Sequence, residues 1–151
     1  MRNENAFNAW LSKELRSLHS KGFHHAKISD KFTAGVSDFL IWGLGKSVVI
    51  ESKYVKEFPK DTSDLLEHTF SGAQITFLES IGLTGNRAFG LIAVGDRKGG
   101  SLFLIPWKEI PDSGNWKVAD FKIGKNIGRY HWDEWKEMIG FALTGEGHSG
   151  R

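Results

Sequence analysis

The chain has 151 residues and a formal net charge of +2, and its apolar and charged fractions are typical of a soluble globular domain. The absence of cysteine excludes a disulfide framework and a thiolate zinc site. There is no apolar run near the roughly 20 residues of a membrane helix, and the first residues lack the basic start and apolar core of a secretory signal. We therefore expect a cytoplasmic protein without a membrane partner.

The N-terminal stretch 4–20 predicts an amphipathic helix that ends at Lys21-Gly22. Its apolar residues recur at spacings of three and four, at Phe7, Leu11, Leu15 and Leu18. Residues 23–28 predict a first strand, and a polar loop follows.

Two apolar runs come next, in the stretch GVSDFLIWGLGKSVVIESK (35–53), and glycines between them predict a turn. Each run contains one acid, Asp38 or Glu51, and Lys53 follows two residues after the second. If the turn spans residues 43–46, Asp38 lies directly opposite Glu51, and both project with Lys53 from one face of the sheet. A slip of one residue would put the two acids on opposite faces. The other face would be filled by Phe39, Ile41, Val48 and Ile50.

The rest of the chain predicts a mixed α/β domain. Residues 54–68 are charged and contain Pro59, which predicts a mobile loop, and Ser71 is a candidate cap for a helix ending near Gly82. Strands are expected at 88–95 and 101–107, a further short strand at 116–121 and a closing helix at 132–143. Residues 1–143 would form one domain, with a flexible tail at 144–151.

The opposed acids predict a metal site. Two directly opposed acids on neighbouring strands, with Cβ atoms about 5 Å apart, destabilise a sheet, and partial burial increases that cost. A divalent cation removes the repulsion, and oxygen ligands from two strands suit Mg²⁺. Lys53 could neutralise a phosphate or help to activate water. The alternative is two solvent-facing acids in a salt bridge with the lysine.

These residues resemble a known signature. Asp38 followed by Glu51-Ser52-Lys53 is similar to the D…ExK motif of the PD-(D/E)xK nuclease superfamily, with Ser37 where proline often stands. The stretch SGAQITFLESIGLTG resembles the helix after that motif in archaeal-type Holliday junction resolvases and VRR-NUC nucleases, where a glutamine, here Gln74, points back to the site. Similarity to the resolvases continues through SLFLIPWKEI and GNWKVADFKI, from about residue 22 to 139.

The resemblance implies a restriction-endonuclease-like fold, a mixed central sheet flanked by helices, and Mg²⁺-dependent cleavage of DNA phosphodiesters, with Mn²⁺ as a substitute. Asp38 and Glu51 would ligate the metal, and Lys53 and Gln74 would complete the catalytic set. The family's first-helix glutamate falls on Leu11 here, with one candidate a turn later and another two turns earlier. We favour Glu14 over Glu4, and an ordinary surface glutamate is the alternative.

Basic residues flank the predicted site. Lys27, Lys31 and Lys56, with the loop residue Ser29, are expected to contact the DNA backbone, although scattered solvated charges are the alternative for each lysine. No base-reading helix is visible, which favours recognition of DNA shape in a branched, four-way substrate. Symmetric incision of such a junction implies a homodimer.

Two other functions stay open. One is a VRR-NUC-like flap or end nuclease of a phage or mobile element, and the other is a non-catalytic DNA-binding module on the same fold. His24 and His25 lack zinc-ligand spacing and are expected at the surface, with possible phosphate contact. Trp132 and Trp135 predict core packing or a dimer surface.

Overall fold

The computed structural model describes residues 3–28, 38–57, 70–111 and 126–145. Within these ranges the backbone forms a six-stranded mixed sheet with helices on its two faces. The strands are β1 (His24–Ile28), β2 (Asp38–Gly43), β3 (Lys46–Val55), β4 (Arg87–Val94), β5 (Ser101–Pro106) and β6 (Gly128–His131). The helices are α1 (Glu4–Arg16), α2 (Gly72–Leu83) and α3 (Trp135–Thr144).

The strands lie side by side in chain order. Only β3 and β4 pair in parallel, and α2 lies in the crossover between them, as a parallel connection requires. The other neighbouring pairs are antiparallel. None of the helices in the described ranges is long and apolar enough to cross a membrane.

The β2–β3 hairpin has the register that the sequence predicts. Asp38 pairs with Glu51, and the pairing continues to Gly43 opposite Lys46. The two turn residues, Leu44 and Gly45, both have positive φ, at 55° and 74°. Positive φ at both central residues is typical of a two-residue β-hairpin turn. Such a turn fixes the register of the two strands that it joins.

β3 is longer than predicted. Tyr54 and Val55 were expected to begin a loop, but both are buried strand residues that pair with Ala93 and Val94 of β4. The charged residues that follow Val55 predicted a loop from local pattern alone. The strand is decided by pairing with β4, whose residues lie about forty positions away in the chain. The rest of the predicted loop, residues 58–68, lies outside the described residues.

Two apolar clusters fill the two faces of the sheet. On one face α1 and α3 pack on the sheet, and the predicted inward residues of the hairpin lie there together with Phe7, Leu11, Leu15, Met138 and Ile139. On the other face α2 packs through Leu78 against residues that include Val49, Ile92 and Phe103. The predicted alternation along the hairpin is therefore confirmed.

Trp132 and Trp135 are buried in the core, which is one of the two alternatives predicted for them. Trp132 is fully buried, its indole N–H donates to the Val94 carbonyl at 3.1 Å, and its ring meets Phe7 edge-on at 5.3 Å. β6 was missed, because its residues GRYH show no apolar run and their pairing with β5 supplies the order. The predicted strand 116–121 lies outside the described residues, as do residues 146–151 of the predicted tail.

His25, a residue of the edge strand β1, makes stability depend on pH. Burial lowers the pKa of His25 below its ordinary 6.5, and the nearby His19 and Arg16 lower it further. The unfolded chain then takes up a proton at this residue at a higher pH than the folded chain does, so stability falls as pH drops below about 6.5. We expect the melting temperature to fall more steeply between about pH 7 and pH 5 in the wild type than in His25→Gln; parallel curves would contradict this assignment.

Candidate functional site

Glu51 is a carboxylate in the interior of the sheet. Its side chain is 1 % exposed, and its backbone lies between Asp38 of β2 and Gly90 of β4. Its Oε1 accepts a hydrogen bond from Nε2 of Gln74 at 2.8 Å. Position 38 faces the same side of the sheet by register, although the Asp38 side chain is not among those described. A buried acid opposite a second acidic position is the costly arrangement that the sequence predicts.

Gln74 joins Glu51 to the start of α2. The Ser71 Oγ accepts from the Gln74 backbone N–H at 3.2 Å, and the Gln74 Oε1 accepts from the Ser71 N–H at 2.9 Å. This reciprocal cap is a common way to begin a helix, and the cap predicted at Ser71 is confirmed. The amide oxygen of Gln74 therefore holds the helix start while its NH₂ group holds the Glu51 carboxylate. The glutamine points to the acid, as the resemblance implied.

Position 90 is a glycine, and its lack of a Cβ leaves space for the residues at the start of α2. A Cβ on Gly90 would lie 2.6 Å from the Phe70 ring, which is buried next to Ser71. Gly90 is the β4 residue paired with Glu51, so Phe70 packs beside the acid on the same face. Sequence analysis missed this residue, although a lone glycine in a buried strand is a known signal of close approach.

Of the four lysine and serine positions predicted to contact DNA, only two lie among the described residues. Lys56 is exposed after the end of β3, and Lys27 is exposed on β1. Lys27 pairs with Phe39, so it lies on the α1 side of the sheet, away from Glu51. Ser29 and Lys31 fall outside the described ranges. Lys53 is partly exposed and shares the face of Glu51 by strand alternation.

A buried polar contact joins α1 to β3. Ser52, between the two catalytic candidates of that strand, points the other way, and its Oγ donates to Oδ1 of Asn8 at 2.6 Å. Both side chains are buried, at 0 % and 2 % exposed. Sequence analysis missed this pair, because Asn8 is one polar residue in an apolar stripe and its partner is distant in the chain.

α1 carries two glutamates in different environments. Glu4 lies one turn before Asn8 and aligns with Leu11 on the buried stripe, since residues four and seven apart share a helix face. Its Oε1 is buried, and within the described ranges it has no hydrogen-bond partner. Both glutamates are partly exposed as whole residues, and Glu14 lies to the side of that stripe. Glu4 is thus the α1 acid with a buried oxygen that a cation or a hydrogen-bond donor could satisfy.

Glu4 and the Glu51 side chain lie on opposite sides of the sheet. α1 and α2 pack on opposite faces, so a ligand from α1 must pass the end of a strand to reach Glu51. β2 begins at Asp38, while β3 continues to Val55, so residues 52–55 have no β2 neighbour within the described sheet. The N-terminal half of α1 packs there, since Phe7 stacks on Tyr54 at 6.5 Å.

The donor chemistry fits a hard cation. Asp38, Glu51 and Glu4 are all carboxylates, whose oxygens Mg²⁺ prefers to nitrogen or sulfur ligands. The described side chains by themselves assemble no group of three or more His, Asp or Glu that could hold a metal ion. The Asp38 side chain is outside that set, so the fit rests on the buried carboxylate oxygens of Glu51 and Glu4 and not on a completed shell.

Removing the hydroxyl of Ser52 tests the α1–β3 contact. We expect Ser52→Ala to lower the free energy of unfolding by about 1–3 kcal/mol, because the buried Asn8 carbonyl loses this donor. The double variant Asn8→Leu, Ser52→Ala removes both polar groups and should recover part of that loss, as urea unfolding would measure. If α1 carries a ligand, Ser52→Ala should also raise the Mg²⁺ concentration needed for half-maximal activity. Additive losses in the double variant would contradict the coupling.

A comparison with solved structures finds the Holliday junction resolvase Hjc of the archaeal hyperthermophile Archaeoglobus fulgidus. The two chains are 14 % identical and superpose with a TM-score of 0.51, over 77 % of this chain and 92 % of Hjc. At this identity the likeness shows the fold, and the predicted restriction-endonuclease-like fold is confirmed. No protein-family profile and no curated protein sequence matches the chain.

Proposed function

We propose that the protein is a Mg²⁺-dependent endonuclease that hydrolyses DNA phosphodiester bonds, of the Holliday junction resolvase kind. The observation that carries this proposal is the buried Glu51, held by Gln74 and opposite Asp38, with Lys53 on the same face. The fold shared with a junction resolvase supports it. The alternative of two solvent-facing acids does not describe Glu51, whose side chain is buried.

In this proposal Asp38 and Glu51 hold the metal ion. Glu4 takes the place of Glu14 as the α1 ligand, because its carboxylate oxygen is buried on the helix stripe that faces the sheet. When bound, the ion lowers the pKa of a bound water and stabilises negative charge on the phosphate. Mn²⁺ is expected to substitute, since it accepts the same oxygen ligands.

The chain's own residues supply orientation and charge. Gln74 fixes the plane of the Glu51 carboxylate, so that the acid is set before substrate arrives. The Lys53 ammonium, two residues further along β3, pairs with a phosphate oxygen or orients the attacking water. The hydrogen bond between Ser52 and Asn8 holds α1 in place along β3, and it thereby helps to position Glu4.

The fold and the lack of a base-reading helix in the sequence support the proposed substrate class. A four-way DNA junction is the first candidate, and its symmetric incision requires two copies of the site in a homodimer. A flap or end nuclease uses the same catalytic residues on a different DNA shape. A DNA-binding module without catalysis would keep the fold and lose the metal chemistry.

The test uses three end-labelled DNAs, namely a four-way junction, a flap and a linear duplex, each with Mg²⁺ and with EDTA. We expect paired cuts near the crossover of the junction with Mg²⁺, and none with EDTA or with Asp38→Asn. Asp133→Asn, which changes an exposed acid far along the chain, should cut like the wild type. Cuts confined to flaps or ends would support the other nuclease, and binding without any metal-dependent cut would leave only the binding module.

A further inference from the structure

A row of aromatic rings lies at the hairpin end of β1 and β2. Trp42 is 39 % exposed and stacks on His24, with ring centroids 5.9 Å apart and 28° between the ring planes. His19 continues the row, with its ring 5.1 Å from that of His24. We call Trp42, His24 and His19 the aromatic row. A half-exposed tryptophan held by a ring on one side can present its other face to a ligand.

The aromatic row shares a sheet face with the candidate site. Positions 38, 40 and 42 of β2 alternate with the inward residues, so Trp42 lies on the side of Glu51. α2 covers that face over β3 and β4, whereas His24 and Ala26 of β1 remain exposed on it. Four residues separate Trp42 from Asp38, about 14 Å along the strand. That length matches about four stacked nucleotides at 3.4 Å each.

The described chain segments that carry the aromatic row are mainly basic. The described residues between Glu14 and Glu51 include no Asp or Glu apart from Asp38 at the start of β2. Besides Lys27, which lies on the other face, they include three exposed cations, Arg16, Lys21 and Lys46. A surface of this sign attracts a polyanion.

We propose that the aromatic row stacks on an unpaired nucleobase of the DNA strand that leads into the candidate site. Aromatic side chains beside cations are the usual means of holding single-stranded nucleic acid, because every base has a π face and every nucleotide a phosphate. The proposal rests on the proposed function for its substrate class and adds a recognition element. Unpaired bases occur at splayed junctions and flaps but not in an intact duplex.

A second copy of the chain is the competing occupant of this surface. A two-fold contact brings the same patch together from both subunits. Here it would bring Arg16, Lys21 and Lys46 of each copy toward the same cations of the other, which repels. Charge therefore favours DNA over self-association at the aromatic row.

The experiment measures binding of the full chain in EDTA, so that no cleavage is needed. The probes are a fluorescein-labelled oligothymidine of about 16 nucleotides, which spans one single-strand site, and a duplex of equal length at the same ionic strength. We expect Trp42→Ala to weaken single-strand binding by about 5- to 100-fold and duplex binding by much less, since stacking acts on unpaired bases. Leu83→Ala, an equally simple change of an exposed apolar residue on α2, should leave both unchanged.

Further variants separate stacking from damage to the fold. Trp42→Phe should retain part of the affinity, and His24→Ala should weaken single-strand binding through loss of support for the indole. A single abasic site moved along the oligonucleotide should cost the wild type affinity at one position and cost Trp42→Ala little there. Circular dichroism and melting temperature check that each variant is folded.

Three results would overturn the proposal: no loss of single-strand binding in Trp42→Ala, an equal loss for duplex, or a change from dimer to monomer in sedimentation that accounts for the loss. These results are independent of the nuclease assay. A wild type that fails to cut DNA while Trp42→Ala selectively loses single-strand binding would reject the proposed function and keep the stacking surface.

Discussion

Glu51→Gln should lower the rate of Mg²⁺-dependent DNA cleavage by about 10³-fold or more. The substitution keeps the shape of the side chain, and its amide oxygen can still accept from Gln74, so the fold should be preserved. It removes the charge that holds the cation, and several kcal/mol of transition-state stabilisation correspond to a rate factor of this size. Single-turnover cleavage of labelled junction DNA at saturating protein measures the effect, because it separates cutting from binding.

The control for this prediction is Glu79→Gln, which makes the same chemical change at an exposed glutamate of α2. Its cleavage rate should equal that of the wild type. DNA binding by Glu51→Gln should be at least as tight as that of the wild type in EDTA, because one negative charge near the phosphates is gone. A variant that still cuts within tenfold of the wild type would show that Glu51 does not hold the metal.

Gln74→Glu should destabilise the metal-free protein by about 3–5 kcal/mol at neutral pH. The new side chain can still accept from the Ser71 N–H, but it replaces the donor that lies 2.8 Å from the Glu51 Oε1 with a carboxylate oxygen. The buried Glu51 would then lose this donor and face a like charge in its place, and two carboxylates in contact inside the protein cost an amount of this size. Urea unfolding measures the loss.

Mg²⁺ should restore part of the stability of Gln74→Glu, since an ion bound only by the folded state shifts the unfolding equilibrium. Gln74→Ala is the comparison, because it removes the same donor without adding a charge. We expect it to lose about 1–3 kcal/mol and to gain no more from Mg²⁺ than the wild type does. If Gln74→Glu is as stable as Gln74→Ala with and without Mg²⁺, the acid does not sit in the buried, cation-binding environment inferred for it.

Asp38 and Glu51 show which structural features a local sequence pattern can predict. The hairpin register was predictable, because a short turn with glycine joins two strands of alternating burial, and the turn geometry couples their positions. The start of α2 was predictable for the same reason, since Ser71 and Gln74 are three residues apart and can cap one another. Both are contacts among residues close in sequence.

The sequence by itself therefore determined the sheet hairpin, the pairing of positions 38 and 51, and the glutamine helix that follows. Only the tertiary structure decided that β3 runs on to Val55, that Gly90 makes room for Phe70, and that Ser52 meets Asn8. It also buried one carboxylate oxygen of Glu4 and stacked Trp42 on His24. The physical reason is the same throughout: local patterns encode local geometry, whereas the burial of a given polar group depends on which distant segment packs against it.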